Sequence, residues 1–212
     1  MIKEPTKMII GVAGLAGSGK DTLADILVCD YRFVRIGMAD PLKRFCREVL
    51  DFSVEQLWGS SERRNEPDSR YLNEKNGYLT PRHALQRLGA EWGRQECYEN
   101  VWVDYAIRMA DSILEGEGAY HPEFGLDRDI SPLVPPAGVV IPDIRYINEI
   151  RAVHAKGMVV KIVRPGVGVQ WQHSSETELG TVRDDQFDYL FHNDGGIDEI
   201  PAKVQEMMEC LT

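Results

Sequence analysis

A glycine-rich segment near the start of the chain has the residue types and the spacing that bind phosphate groups. It reads GLAGSGKDT over residues 14–22 and follows an apolar run at 8–13. Glycines allow backbone conformations that other residues avoid, so successive N–H groups can converge on phosphate oxygens where a helix begins. The segment therefore predicts an ATP or GTP site, with Lys20 as the cation beside the β- and γ-phosphates. Its expected contacts are Gly14, Ala16, Gly17, Ser18, Gly19, Lys20, Asp21 and Thr22.

The end of this segment departs from the usual phosphate-binding pattern, in which Ser or Thr directly follows the lysine and binds Mg²⁺. Here Asp21 follows Lys20, and Thr22 comes one residue later. A GK-x-T ending resembles the nucleoside monophosphate kinases, and that resemblance places Thr22 against the nucleotide phosphates and Mg²⁺. The simpler alternative is a glycine-rich turn without a ligand, which the preceding strand, the spacing and the lysine together disfavour.

A carboxylate and an amine follow the next apolar run, in the sequence GMADPLK. Asp40 and Lys43 are three residues apart, so they share one face of the predicted helix. We interpret them as substrate-recognition residues. A capping aspartate beside an exposed lysine is the alternative that the spacing leaves open.

The helix predicted at 81–96 carries groups that suit a nucleoside monophosphate. Arg82 and Gln86 are four residues apart on one face, and Arg94 lies twelve residues after Arg82. A guanidinium can hold a phosphate through two parallel hydrogen bonds, and an amide can contact both donors and acceptors on a base edge. We expect Arg82 and Arg94 to bind the acceptor phosphate and Gln86 to contact the base.

A second carboxylate and arginine follow the apolar run VVIP. Asp143 would stand at the end of a strand beside the phosphate-binding loop, where a carboxylate commonly orients Mg²⁺ through water. Arg145, two residues on, points to the same side and can meet phosphate. A capping Asp143 that pairs with Arg145 is the alternative.

Arg164 and the sequence HSSE at 173–176 lie in a segment, 164–185, that we interpret as a lid. Closing Arg164 over the phosphates would exclude water, which would otherwise hydrolyse ATP. Lys20, Asp143 and Arg164 are thus the predicted catalytic residues, and Glu176 is a predicted substrate contact. Covalent catalysis by the Ser and His of this stretch is disfavoured, because phosphoryl transfer at such a loop needs no covalent intermediate.

Composition narrows the classes of partner. The 212 residues carry a formal net charge of −10, which argues against a broad nucleic-acid-binding surface and leaves a small anionic substrate as the expected partner. The four cysteines form no CxxC pair, so reduced thiols are favoured over a disulfide or metal framework. The apolar runs are too short to cross a bilayer and the start lacks a signal-peptide core, so we expect a cytoplasmic protein that binds no membrane.

Apolar runs alternate with helical patterns, which predicts an α/β fold with a parallel sheet. The expected strands are 8–13, 33–37, 138–142, 158–163 and 187–191. The expected helices are 20–28, 41–50, 81–96, 101–114, 146–155 and 198–209. Two polar segments, 60–77 and the Pro-rich 115–137, are predicted loops, the second an insertion. The whole chain forms one predicted domain, in which a helical region at about 40–114 would bind the acceptor.

Six segments together resemble the bacteriophage deoxynucleoside monophosphate kinases: GLAGSGKDT, ADPLK, LQRLGAEWGR, VVIPDIRYINE, VRP followed by HSSE, and HNDG. The resemblance implies a P-loop NTPase fold of three α/β/α layers, with five parallel strands in the order 2-3-1-4-5 and a lid. It also implies transfer of phosphate from ATP to a deoxynucleoside monophosphate, with Mg²⁺, in the host cytoplasm if the chain is phage-encoded. On this resemblance the acceptor is bound by Lys43, Arg82, Gln86, Arg94 and Arg145, and Asn193 lies near the adenine. The oligomeric state is left open, with a homodimer among the options.

Other functions remain as alternatives. A P-loop kinase could act on dephospho-coenzyme A or a sugar acid, although a neutral polyol needs fewer cations than this sequence offers. A nucleotide-dependent switch with little turnover is a second alternative. A kinase of nucleic-acid 5′ ends is disfavoured by the acidic composition.

Overall fold

A computed structural model describes residues 7–74, 77–166 and 174–211, apart from the side chains of residues 73 and 174–177. Its strands in chain order are β1 (Met8–Gly14), β2 (Phe33–Arg35), β3 (Leu72–Asn73), β4 (Gly77–Tyr78), β5 (Ala119–His121), β6 (Gly125–Asp127), β7 (Gly138–Ile144), β8 (Met158–Val163) and β9 (Tyr189–His192). The α-helices are α1 (Lys20–Tyr31), α2 (Asp40–Leu50), α3 (Val54–Trp58), α4 (Ser61–Asn65), α5 (Pro81–Gln86), α6 (Val101–Glu115), α7 (Ile147–His154), α8 (Ser174–Thr181) and α9 (Ile200–Leu211). A π-helix, Arg87–Cys97, continues α5.

The central sheet has five parallel strands in the order β2-β7-β1-β8-β9. Numbered among themselves along the chain, these strands have the order 2-3-1-4-5, which confirms the predicted topology. The chain order reverses beside β1, where ligands of open α/β sheets bind beyond the carboxyl ends of the strands. The phosphate-binding loop follows β1 at this point.

Apolar layers cover both faces of the sheet. On one face Ile10 and Val12 pack with Leu23 of α1 and Met207 of α9. On the other face Ile9 and Ala13 belong to a cluster with residues of α6 and α7. Because successive side chains of a strand alternate between faces, β1 is buried along its whole length. The result is the predicted three-layer α/β/α arrangement.

A third apolar cluster lies under the helices between β2 and α6. Its buried members are Cys46, Phe52, Leu57 and Ala84. This cluster gives the region predicted to bind the acceptor a core of its own, separate from the two layers on the sheet. Within residues 7–74, 77–166 and 174–211, no helix combines the length and the apolar character needed to cross a membrane.

The two segments predicted as loops contain regular structure. Segment 60–77 includes α4 and β3, and Ser60 caps α4 by accepting a hydrogen bond from the Arg63 N–H. Segment 115–137 contains an antiparallel hairpin of β5 and β6. Helix α3 lies outside the predicted helices. These elements have five residues or fewer, too few for a hydrophobic period to be visible in the sequence.

Candidate active site

The loop between β1 and α1 has the backbone of a phosphate-binding loop. Gly17 and Gly19 have φ angles of 79° and 104°, which other L-residues rarely adopt. Helix α1 begins at Lys20, so its free N–H groups and the positive end of its dipole face the loop. Ala16 and Gly17 are exposed at the tip, whereas Ser18 is buried. This arrangement can surround phosphate oxygens with backbone donors.

Asn193 supports this loop from beneath. Its amide Nδ2 donates to the Ser18 carbonyl at 2.8 Å, and its backbone N–H donates to the Val163 carbonyl. A Cβ atom at Gly19 would lie 2.6 Å from the same Nδ2 atom, so a larger residue at position 19 would collide with the Asn193 amide. The structure thus places Asn193 as a buried brace of the loop, and the adenine contact implied for it stays a prediction.

Lys20 lies inside the loop. Its ammonium donates to the carbonyl oxygens of Gly14 and Leu15, both at 2.8 Å, and the residue is 9% exposed. The Nζ atom is also 3.5 Å from Asp143 Oδ1 at the end of β7. Lys20, which the sequence predicts to contact the β- and γ-phosphates, therefore holds its charge at the loop, between the ends of β1 and β7.

A bulge in β7 presents Asp143 to the loop. The pairing with β1 runs from Val12–Pro142 directly to Ala13–Ile144, so Asp143 is an extra residue with a left-handed φ of 69°. Bulges re-aim side chains beside active sites, and a non-glycine residue in this conformation is uncommon. The Asp143 carboxylate lies 2.7 Å from Arg145 Nη2 and is half exposed.

The charges around Asp143 keep it ionised. Desolvation would raise the pKa of its carboxyl, but the guanidinium of Arg145 and the ammonium of Lys20 outweigh that effect and hold the pKa below its usual value. Mg²⁺ in phosphate-transfer sites takes one or two protein oxygens and completes its shell with phosphate oxygens and water. The Asp143 carboxylate and the half-buried Thr22 hydroxyl in the first turn of α1 are oxygens of this kind.

Asp21 faces a partner that the sequence-based predictions missed. Its carboxylate forms an ion pair with Arg35 at the end of β2, and Arg35 also contacts Asp25 at 2.9 Å. Asp21 therefore joins α1 to β2 at the position where the usual pattern has the Mg²⁺ ligand. Its predicted contact with the nucleotide stays a prediction.

A group of cations is linked by mutual effects on the pKa values of its members. Burial lowers the pKa of Arg82, and the charges of Arg64 and Arg145 lower it further. Burial likewise lowers the pKa of Lys43. The negative charge of Asp40 raises this pKa, and the positive charges of Arg64 and Arg35 lower it further. Like charges that perturb one another in this way lie within electrostatic reach. We call Lys43, Arg64, Arg82 and Arg145 the acceptor cluster, after the role predicted for Lys43, Arg82 and Arg145.

The described hydrogen bonds of Arg82 go to neutral oxygens, which do not compensate its charge. Arg82 donates to the neutral oxygens of Asn65, at 2.7 Å, and Ser61, at 2.6 Å. The Nε atom of Arg64 is buried and has no hydrogen-bond partner within the described part of the chain. Sequence reasoning missed Arg64, because the segment around it lacks periodicity. The signal was Ser60, a helix-capping residue three positions before two arginines.

Arg94 belongs to a different contact group. Its guanidinium stacks 3.7 Å from the centre of the Tyr146 ring and donates to Asn148 Oδ1 at 3.1 Å. It also lies 3.4 Å from Glu149 Oε1, and it is 13% exposed on its side chain. The change to a π-helix after Gln86 alters the spacing of side chains, so Arg94 reaches the start of α7. Its predicted contact with the acceptor phosphate stays a prediction, as does the base contact of the exposed Gln86.

Glu149 is the buried carboxylate of this group, and the sequence-based predictions assigned no functional role to it. Its Oε2 atom accepts hydrogen bonds from the backbone N–H groups of Arg145, at 2.8 Å, and Tyr146, at 3.1 Å. Burial raises the pKa of Glu149 to about 7, with a smaller contribution from Asp143, although these hydrogen bonds and Arg94 oppose the rise. The residue therefore fixes the backbone of Arg145 and holds Arg94 from the same position.

Asp40 is buried, at 3% exposure, and binds groups of the protein. Its Oδ2 atom accepts from the Gly37 N–H at 2.8 Å and the Tyr120 hydroxyl at 3.0 Å, and its Oδ1 atom accepts from the Trp58 indole at 3.3 Å. The Lys43 ammonium lies 5.3 Å from the centre of the Trp58 ring. Asp40 is thus hydrogen-bonded within the protein, and the direct substrate contact predicted for it stays a prediction.

The segment predicted as a lid, 164–185, is described in part. Arg164 donates to the Gly17 carbonyl at 3.1 Å, so it reaches the tip of the loop. A cavity of about 170 Å³ is lined by residues of the loop, β8 and α8. Glu178 of α8 accepts a hydrogen bond from the Ile147 N–H at the start of α7. Residue 173 and the side chain of Glu176 lie outside the described residues, so the substrate contact of Glu176 stays a prediction.

The sheet order, the glycine-rich loop, its lysine and the carboxylate at the neighbouring strand end define a P-loop nucleotide-binding phosphotransferase. The chain is 33% identical over 198 residues to a protein of Acanthamoeba polyphaga mimivirus named "Putative deoxynucleotide monophosphate kinase". That match covers 93% of this chain and 94% of the viral protein. The chain therefore belongs to the deoxynucleotide monophosphate kinase family.

No family model matches the chain. Among solved structures, TT1252 from Thermus thermophilus is 17% identical with a TM-score of 0.49, over 98% of this chain and 99% of that one. Shikimate kinase from Aquifex aeolicus is 11% identical with a TM-score of 0.49, over 95% of this chain and 96% of that one.

Proposed function

We propose that this protein transfers the γ-phosphate of ATP to a deoxynucleoside monophosphate, which gives ADP and the deoxynucleoside diphosphate. The observation that carries the proposal is the acceptor cluster. Arg82 donates to the neutral oxygens of Ser61 and Asn65 in α4, the helix that contains Arg64, and the charges of Arg64 and Arg145 lower the pKa of Arg82. Such a like-charge group is stabilised when a dianionic phosphate binds in it.

The donor side of the site would hold ATP through the loop. The N–H groups of the loop and the start of α1 would surround the phosphates, and Lys20 would move from the Gly14 and Leu15 carbonyls to the β- and γ-phosphates. Thr22 and, through water, Asp143 would hold Mg²⁺. When bound, that ion neutralises charge on the β- and γ-phosphate oxygens.

Phosphoryl transfer here rests on positioning and charge, because the acceptor oxygen is already anionic at neutral pH. A general base is therefore not needed. Lys43, Arg64 and Arg82 would reduce the repulsion between the two nucleotides, and Arg145 would link the acceptor to Asp143. Arg164, which reaches the Gly17 carbonyl, would cover the phosphates and exclude water.

A mononucleotide fits this arrangement better as the acceptor than a nucleic acid does. The net charge of −10 repels a polyanionic backbone, whereas the acceptor cluster offers local positive charge for one phosphate. ATP and mononucleotides are cytoplasmic metabolites, and we propose that the protein acts there.

The proposal is tested by measuring ADP formation from ATP and Mg²⁺ with a panel of dTMP, dGMP, dCMP, dAMP, 5-substituted dCMP and the matching ribonucleotides. Dephospho-coenzyme A, a sugar acid and water serve as alternative acceptors. We expect ADP formation to depend on at least one deoxynucleoside monophosphate. Preferential use of dephospho-coenzyme A or the sugar acid would establish the alternative kinase, and ATP binding without turnover would establish the switch.

A further inference from the structure

The hairpin of β5 and β6, here called the insertion hairpin, contacts helix α2 through its turn, residues 122–124. Arg44 Nη1 donates to the Pro122 carbonyl at 2.8 Å, and Arg47 pairs with Glu123 at 3.1 Å. Arg47 also lies 5.5 Å from the centre of the Phe124 ring. Helix α2 carries Asp40 and Lys43 at its start, so the hairpin is packed against the element that presents part of the acceptor cluster.

Tyr120 is the residue of the hairpin that reaches this start. Its hydroxyl donates to Asp40 Oδ2 at 3.0 Å, and the same oxygen accepts from the Gly37 N–H. The other carboxylate oxygen accepts from the Trp58 indole. One buried carboxylate therefore joins three separate parts of the chain: the segment after β2, helix α3 and the insertion hairpin.

We propose that Tyr120 is a positioning residue of the acceptor site, which holds Asp40 and, through it, Trp58 and Lys43 in the geometry that receives the acceptor nucleotide. This inference rests on the proposed function. A buried carboxylate that loses a donor keeps its desolvation cost, so Asp40 would shift toward another donor. The Trp58 indole would move with it, and the Lys43 ammonium is next to that ring.

The effect should be confined to the acceptor. The nucleotide-binding loop has its own supports in Asn193 and the start of α1, and none of the contacts described for Tyr120 reaches it. Tyr120→Phe keeps the ring and removes the hydroxyl. We expect the KM for the deoxynucleoside monophosphate to rise about three- to tenfold, with kcat and the KM for ATP changed less than about twofold.

A matched control is Tyr71→Phe. The Tyr71 hydroxyl donates to the Leu50 carbonyl at 2.6 Å and so binds the other end of α2, away from Asp40. We expect this variant to lose thermal stability to a similar degree and to keep the wild-type KM. The double variant Tyr120→Phe with Trp58→Phe tests the route through Asp40, because its rise in KM should be smaller than the product of the two single effects.

The outcomes separate the two proposals. A wild-type protein that uses no deoxynucleoside monophosphate would contradict the proposed function, and this inference with it. An active wild type with equal KM values in Tyr120→Phe and Tyr71→Phe would overturn this inference alone and leave the hairpin a structural element. If the rise in KM of the double variant equals the product of the two single effects, the route through Asp40 is overturned.

Discussion

The Lys20 ammonium lies 3.5 Å from the Asp143 carboxylate, so one ion pair joins the P-loop to the bulge at the end of β7. The bulge allows this contact, because it adds Asp143 to β7 beside the end of β1. Both groups are thus placed where the donor phosphates and Mg²⁺ would lie in the proposed reaction.

Replacing Lys20 tests the donor side of the account. In Lys20→Ala we expect phosphoryl transfer to fall more than a thousandfold, about 4 kcal/mol, because the charge that stabilises the transferred phosphate is lost. Steady-state assays and thermal unfolding of the same preparation measure activity and fold. Lys156→Ala is the control, since that lysine forms an exposed pair with Asp111. Near-normal turnover in a folded Lys20→Ala protein would refute the assignment of the P-loop.

The offset motif gives a second prediction. Thr22→Val should weaken Mg²⁺-dependent activity, because it removes the hydroxyl expected on the metal side. Asp21→Ser should have the milder effect, since it removes an exposed ion pair with Arg35, which contributes at most about 1 kcal/mol to stability. Titrations of activity with Mg²⁺ compare the two variants. The reverse order of effects would assign the metal ligand to Asp21.

The local features of the site could be predicted from sequence, whereas its long-range contacts could not. The P-loop and the five strands follow from short patterns in which neighbouring residues share one element. The Tyr120–Asp40 contact joins residues 80 positions apart, and no local pattern encodes it. The extra residue at Asp143 depends on the register of β7 against β1, which strand propensity does not specify.

The position of Arg94 could not be predicted from the sequence for a different reason. The spacing from Arg82 assumes a continuous α-helix, but the chain changes to a π-helix at Arg87, and the Trp102 indole donates to the Gly89 carbonyl inside that segment. Gly93 packs against the same Trp102 ring, where a Cβ would lie 2.4 Å from it. Tertiary packing thus overrides the helical period in this segment.

Glu149 predicts a dependence of stability on pH. Its native pKa of about 7 lies above the unfolded value of about 4.3, so the native state binds the extra proton between these pH values. Its contribution to the free energy of unfolding is therefore present below about pH 4 and is lost as the pH rises toward 7. Between pH 5 and 8 the wild type should lose about 2 to 3 kcal/mol relative to Glu149→Gln, which has no such proton.

Urea unfolding of both proteins at pH 5 and pH 8 measures this difference, and the common contributions of other groups cancel in the comparison. A stability gap between the two proteins that stays constant with pH would show that Glu149 is ionised throughout this range.

The acceptor cluster is the centre of the account, and Arg82→Lys tests it most directly. Lysine keeps the charge but lacks the planar fork, so we expect a loss of about 1.5 to 3 kcal/mol in kcat/KM for the deoxynucleoside monophosphate. The Kd for ATP should change little. Arg63→Lys is the matched control, because Arg63 lies in α4 next to Arg64 and forms an exposed pair with Glu66.

The deciding measurement is kcat/KM for each deoxynucleoside monophosphate, with the diphosphate product identified, alongside the Kd for ATP in the wild type, Arg82→Lys and Arg63→Lys. The account predicts a loss of acceptor use confined to Arg82→Lys, with ATP affinity preserved in all three proteins. An equal loss of ATP binding in Arg82→Lys, or unchanged acceptor use, would contradict the placement of the acceptor phosphate in this cluster.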